Sequence, residues 1–454
     1  MRRGRIPTQE AQRREAPEHK TRVVVTGIGP LVSIGMGKDK FWENLLAGKT
    51  NVVLQDDWVG NEKWTSFYIH KLEHFDVNDF RLEKSILEEI KIWKDGKEDP
   101  DLFYLMAAVK LALEDSCLKY DKENNEIGLF VAHENPGLEN FFTKVLNDAH
   151  GFLDGTSRNG RTKSKKDFFE ALYESSIKSG YDLQTFMPLF FIGKMFGLHG
   201  FSLFVNNACA SGSYAIEAAS RYLQKGNAKV AVIAAGDRPV YSYKYLWFRK
   251  LGFYADDGKI KPFSKERNGM VFGDGASAIV LEELEHARKR GATIYGEYLG
   301  GGFSSEGWKV TLPAVQSTYY QEAIKGALIQ SQVQKEEIDL LNVHGVGVGI
   351  TDEYEAKAVT AVFGKNPRRP FVNAFKPYVG HNLGGSALLE SIILLLSLHH
   401  NIILPTLNCE PIDQKLGIQL VTKPVLTELK TSLKICCAFA GYNAATVFRK
   451  VMPK

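Results

Sequence analysis

Four residues of this chain combine a reactive side chain with a setting that can expose it. Cys209 lies in Asn207-Ala208-Cys209-Ala210-Ser211-Gly212, between an apolar run and a helical pattern, where small neighbours leave the sulfur uncrowded. Free N–H groups and the dipole at a helix N-terminus favour a thiolate, the form of cysteine that attacks carbonyl carbon. His344, in Asn342-Val343-His344-Gly345, stands where a β run gives way to a glycine-rich turn, so it can point into a cleft. His381 and Lys376 share Lys376-Pro377-Tyr378-Val379-Gly380-His381-Asn382-Leu383-Gly384-Gly385, and the glycines there would let a ligand approach closely. Taken singly, the cysteine reads as inert packing, each histidine as structural and Lys376 as a surface charge. Their joint arrangement changes that reading.

The elements that must position them follow from periodicity. Short β-branched or apolar runs occur at Arg22–Gly27, Ile127–Ala132, Lys229–Ala235, Ser277–Leu281, Leu340–Val343, Pro370–Asn373 and Lys434–Ala438, as expected of strands buried on both faces. Helical spacing separates several of them. Tyr214, Ala215, Ala218, Ala219, Tyr222 and Leu223 mark a helix that starts beside Cys209 and stops at Gly226. A second starts near Gly384 and runs through Leu388, Leu389, Ile392, Ile393 and Leu396. Alternating strands and helices predict an α/β layered fold. The late chain repeats the order of segments of the early chain, as an internal duplication would. Lys91–Asp101 and Gly155–Lys166 (with TSRNGRTKSKK) lack periodicity and read as exposed insertions.

Composition narrows the classes. The chain has 454 residues, 44% of them hydrophobic, enough for two core-sized units or a fused pair and too apolar for disorder. Its 57 basic and 53 acidic side chains nearly balance, which removes any whole-protein signature of nucleic-acid binding. Five cysteines (117, 209, 409, 436 and 437) without framework spacing point to a reducing, cytoplasmic compartment, and no His/Cys spacing matches a metal site. The longest apolar stretch, Ser391–Leu404, is short of the roughly 20 residues that span a bilayer and reads as a buried helix running into a strand. Residues 1–20 read as a flexible tail.

The motifs RVVVTGIGPLVSIG, NACASGS, KPFSKERNGMVFGDGASAIVLEELEHARKRGA, HGVGV, KPYVGHNLGG, LPTLN and AFAGYNAATVF occur in that order. With them the chain resembles the β-ketoacyl-[acyl-carrier-protein] synthases of the elongating type, from about Arg22 to Lys450. The resemblance implies a thiolase-like fold, two fused α/β halves (21–292, with a surface insertion near 148–185, and 293–454) in a layered αβαβα core. It implies a ping-pong decarboxylating Claisen condensation in fatty-acid or polyketide biosynthesis, with an acyl chain on Cys209. His344 and His381 would stabilise the malonyl enolate, Lys376 would organise the site, and the N–H groups of Cys209 and Phe439 would form the oxyanion hole, Phe439 also acting as gate. No bound cofactor is implied; substrates ride on the phosphopantetheine of acyl carrier protein or CoA. The partners implied are a carrier protein and a second ketosynthase subunit, identical or related.

Several positions depart from the family's pattern. Two hydroxyl residues that grip the pantetheine arm are replaced by Val346 and Val348, at a cost on the order of 1 kcal/mol each if the substrate amides stay unpaired. His133-Glu134-Asn135-Pro136-Gly137 is polar where the family has small and apolar residues, with Asn135 at a substrate-pocket position. Cys437, Ala438 and Ala440 surround Phe439 and stiffen its loop. Asp352 and Glu355 match acidic family positions, and Glu355 is a candidate partner for Lys376. The basic 155–166 loop is a candidate docking element for an acidic carrier. Two alternatives stay open: a non-decarboxylating acyltransferase using the same cysteine, or a chain-length-determining partner subunit. A degradative thiolase fits less well, since neither Cys436 nor Cys437 is placed as its second cysteine.

Overall fold

The computed structural model describes residues 21–59, 61–94, 99–138, 141, 164–180, 183–239, 242–365 and 370–452. Its main sheet is built from β1 (Val23–Val32), β2 (Gly128–Ala132), β3 (Ser202–Val205), β4 (Val230–Asp237), β5 (Gly275–Glu283), β6 (Gly296–Ser305), β7 (Leu340–Asn342), β8 (Phe371–Asn373), β9 (Thr431–Cys437) and β10 (Tyr442–Arg449). All seven anticipated runs are among them. β1 and β4 are buried along their whole length, which is why they read as unbroken apolar runs rather than alternating ones.

The strands pair in the order β8-β7-β9-β10-β6-β1-β5-β4-β2-β3, with the short Gly35–Met36 strand added to β1. From the antiparallel β6/β1 seam, where Val23 faces Tyr298, each half presents its first, fifth, fourth, second and third strand. The pairing senses repeat as well: the second strand is parallel to the third and fourth, and the fifth is antiparallel to the fourth and first. The molecule is therefore an internal duplication.

Helices Ser211–Gln224 and Ser386–His400 pack on each other and on strands of both halves, forming the middle layer. Pro100–Ser116 covers the outer face of the first half and Thr318–Ser331 that of the second, giving five layers, αβαβα. The two central helices cross where a Cβ on Gly212 would stand 2.5 Å from the backbone nitrogen of Leu388, so only glycine permits this approach. The apolar helical segment Leu383–His400 meets the length and composition of a membrane span, yet 89% of it is buried in protein, and Ile402–Ile403 continues it as a strand.

Some expectations need correction. Of the expected exposed stretch 91–101, Lys91–Trp93 closes the helix Lys84–Trp93 with Ile92 and Trp93 exposed, Lys94 pairs with Asp99 at 2.8 Å with both side chains buried, and residues 95–98 lie outside the described residues. Lys165 and Lys166 begin the helix Lys165–Gly180; the rest of the basic stretch, residues 155–163, lies outside the described residues, as do residues 1–20. The sequence reading passed over β6, β10 and the hairpin Val52–Val59/Glu62–His70.

Candidate active site

β3 ends at Val205, and the chain turns through Ala208, held at φ 50°, to bring Cys209 to the entrance of the Ser211–Gln224 helix. Ser211 fixes this turn: its hydroxyl donates to the Ala208 carbonyl at 2.6 Å and accepts the Asn207 N–H at 2.8 Å. The expected thiolate is not what the surroundings favour. Burial, followed by the charge of Glu134, raises the Cys209 pKa well above the ordinary thiol value, outweighing Lys376, which favours ionisation.

His344 follows β7 by two residues. Its N–H and that of Gly345 both donate to Glu355, at 2.7 and 2.8 Å, and Tyr320 donates to the same carboxyl group at 2.8 Å. Asp352 accepts from the N–H groups of Phe263 and Gly347. Both acids are fully buried and serve as backbone clamps. Burial raises the Glu355 pKa, and that of Asp352 to about 7.

Lys376 is buried, and its partner is Glu390 at 2.6 Å, not Glu355. Lys434 holds the other oxygen of Glu390, also at 2.6 Å, completing a buried Lys–Glu–Lys set that sequence reasoning missed. The signal was present as one acid inside the apolar LLESII and one lysine inside SLKICC. Burial opposes the Lys376 charge, but Glu390 beside it prevails and the pKa is raised. Its ammonium donates to the His344 carbonyl at 2.8 Å and lies 3.2 Å from His344 Nδ1.

His381 is clamped by its own backbone, with N–H to the Val271 carbonyl at 2.8 Å and carbonyl to the Gly273 N–H at 3.0 Å. Its Nδ1 accepts the Leu383 N–H at 3.0 Å and faces the Ser386 hydroxyl at 2.9 Å. The flanking glycines serve this packing rather than ligand approach: a Cβ on Gly380 would meet the Phe272 carbonyl oxygen at 2.5 Å. The imidazole centroids of His344 and His381 are 5.4 Å apart, and burial, then the charge of Lys376, lowers both pKa values well below the ordinary one. Both rings are therefore neutral. Each has its Nδ1 engaged as an acceptor, which leaves the ring proton on Nε2.

Cys209, His344 and His381 line one cavity with Val346, Val348 and Phe439, and Glu306, Lys309, Thr311, Thr351 and Asn443 are on its polar side. Asn135 is not in this lining. Its neighbour Glu134 is the residue that reaches Cys209, and sequence reasoning noted the polarity of 133–137 without finding that contact. Phe439 stacks on Phe248 at 5.3 Å between centroids, and Ala440 after it adopts φ 59°, a conformation that disfavours a Cβ. Cys436 does stand in the site, 3.4 Å from His344 Nδ1, and Cys437 lines the cavity. Burial raises the Cys436 pKa to about 12, so its thiol stays protonated.

Residues 20–287 match the family model "Beta-ketoacyl synthase, N-terminal domain" and residues 295–410 the model "Beta-ketoacyl synthase, C-terminal domain". The 3-oxoacyl-[acyl-carrier-protein] synthase 2 of Vibrio cholerae is 28% identical over 95% of this chain and 100% of its own length. Nodulation protein E of Rhizobium leguminosarum bv. trifolii is 26% identical over 95% and 99%. Among solved structures, the ishigamide ketosynthase/chain length factor superposes with a TM-score of 0.80 at 24% identity, over 95% of this chain and 100% of that one. A type II polyketide ketosynthase in complex with its acyl carrier protein gives 0.74 at 23%, over the same shares. With both family domains matched in order over most of its length, this chain belongs to the β-ketoacyl synthase family of condensing acyltransferases.

Proposed function

We propose that the protein loads an acyl chain on Cys209 from a phosphopantetheine thioester and condenses it with a malonyl thioester, releasing carbon dioxide. One observation carries this assignment: the thiol and two neutral imidazoles, each with its proton on Nε2, open on the same cavity. Donors of that kind suit the thioester oxygen of the malonyl unit. When the bond to the carboxylate breaks, its electron pair enters the enolate, whose oxygen gains charge and takes shorter hydrogen bonds from His344 and His381. The enolate carbon attacks the acyl-Cys209 carbonyl, the carbon–sulfur bond breaks, and the thiol is regenerated. We assign the oxyanion hole of both acyl transfers to the N–H groups of Cys209 and Phe439. Lys376 acts at one remove, holding His344 in its tautomer while Glu390 and Lys434 hold Lys376.

The names of the curated relatives support acyl carrier protein as the donor, and the two ketosynthase superpositions support a related second subunit. The duplicated strand order and the family matches ending at 287 and resuming at 295 support a division of the chain near residue 292. Five free thiols fit a cytoplasmic setting.

Intact-mass analysis tests the reading. Incubation with acyl-carrier protein or acyl-CoA should add one acyl group to the parent and none to Cys209→Ala, and a malonyl chase should release carbon dioxide and a 3-oxoacyl product. Acylation that survives in Cys209→Ala removes the nucleophile from the proposal. Acyl transfer without carbon dioxide would favour the transferase, and a protein that takes no acyl group from any donor would favour the chain-length subunit.

A further inference from the structure

The first half-reaction needs a group to receive the Cys209 proton, and the residues named so far do not supply one. His344 and His381 present N–H donors, Lys376 is protonated and tied to Glu390, the Cys436 thiol is itself protonated, and the cavity carboxylate Glu306 is taken up by the Tyr354 hydroxyl and the Ala314 N–H. Burial keeps the Cys209 proton in place. Glu134 acts on the sulfur through its side chain, and its Oε1 is buried and accepts no hydrogen bond. Glu134 as a whole is partly exposed, and it is not among the residues that line the cavity, whose lining at the sulfur is left to substrate.

Its backbone is held as firmly as that of the histidines. The Glu134 N–H points to Asp237 Oδ2 at 3.3 Å, and the Asn206 amide donates to its carbonyl at 2.7 Å. Gly384 closes on it so tightly that a Cβ there would meet the Glu134 nitrogen at 3.0 Å. The duplication adds a second, independent observation. Glu134 stands two residues past Ala132, the end of the second strand of the first half; His344 stands two residues past Asn342, the end of the second strand of the second half. Both halves thus present an acid-base side chain from the same topological place.

We propose that Glu134 is the general base for acylation of Cys209. The inference rests on the ketosynthase reading above and adds to it a catalytic residue. The thiol proton passes to the Glu134 carboxylate as the sulfur attacks the thioester carbonyl carbon. The bond between that carbon and the pantetheine sulfur breaks, and the departing thiolate takes a proton from solvent in the cavity; Glu134 keeps the thiol proton through the acyl-enzyme and returns it to the Cys209 thiolate that condensation releases, which restores the carboxylate. Burial and then Asp237 raise the Glu134 pKa to about 7, while Lys244, Cys209 and His133 pull it down. Asp101 pairs with His133 one step further out. The base is therefore ionised above neutrality and lost in acid.

The test is single-turnover acylation of the full chain by hexanoyl-N-acetylcysteamine thioester, followed by intact mass from pH 5.5 to 9. The parent rate should rise through about pH 7 and level off. Glu134→Gln should be slower at pH 8 on the order of 100-fold and lack that rise, and Glu134→Asp should keep it at a reduced rate. An acylation rate in Glu134→Gln equal to or above the parent would overturn the proposal, because deleting a negative charge that only hinders ionisation makes the thiol more reactive. Iodoacetamide alkylation of the parent needs neither variant: an inflection near pH 7 supports the base, and a single inflection above pH 9 rejects it. A parent that resists every thioester yet shows the alkylation inflection defeats the ketosynthase reading and spares the Glu134–Cys209 coupling. A parent that condenses normally with an unaffected Glu134→Gln defeats this inference alone.

Discussion

At the scale of single residues, the site stands on charges that have no water to turn to. Glu390 neutralises two buried lysines, and removing one member of such a set leaves charge stranded in a low-dielectric interior. Glu390→Gln is expected to lower stability by about 3–5 kcal/mol, read as a fall in the urea midpoint without a change in slope. Thr351 is the hydroxyl in the cavity wall that lies closest in sequence to the two valines. Thr351→Val should raise KM for a pantetheine-borne donor about fivefold with kcat unchanged, as loss of one hydrogen bond worth about 1 kcal/mol predicts. Cys209, His344, His381 and Lys376 were legible because each sits in a glycine-rich motif that local sequence reveals. Glu390, Lys434 and Glu134 were not. A lone charge in an apolar run shows neither its partner nor its depth until the chain folds back, and Glu355 was given the wrong partner for the same reason.

At the scale of elements, what matters is how closely backbones approach. Gly212 lets the helix behind Cys209 lie against the helix behind His381. Gly212→Ala should push them apart, costing about 1–3 kcal/mol in thermal unfolding and a larger share of activity, since a shift near 1 Å between reacting groups costs on the order of 100-fold. A variant that melts lower but condenses at the parent rate would show that the crossing does not set the site. Seven strands were legible because burial on both faces writes an unbroken apolar run. β6 was hidden by its glycines: a Cβ on Gly302 would lie 2.0 Å from the Ala323 carbonyl oxygen, so this strand omits side chains to admit the Thr318–Ser331 helix. The burial of Lys94 and Asp99 was hidden in a polar stretch because their ion pair closes only in space.

At the scale of the whole molecule, the first half carries a buried polar network with no counterpart visible to periodicity. His133 stands between Asp101 at 2.7 Å and Asp237 at 3.2 Å. Burial disfavours its charge, but the two aspartates prevail and raise its pKa to about 9. A raised folded-state pKa stabilises fully below the ordinary histidine value of 6.5 and is lost as pH climbs through 9. Titration of folding should therefore show a decline of about 3 kcal/mol between pH 6.5 and 9, absent from His133→Gln at whatever lower stability that variant has. A parent whose stability is flat across that window would mean His133 is neutral.

The repeat of strand order about the β6/β1 seam has a consequence for how this enzyme can change over generations. Two copies of one backbone socket, at the ends of β2 and β7, hold different side chains, a carboxylate in one and an imidazole in the other. Alteration of one socket leaves the backbone of the other standing, so activation of the nucleophile and handling of the carbanion can be selected as separate traits. Changes at one socket would then act on one reaction step, and changes at the other socket on the other.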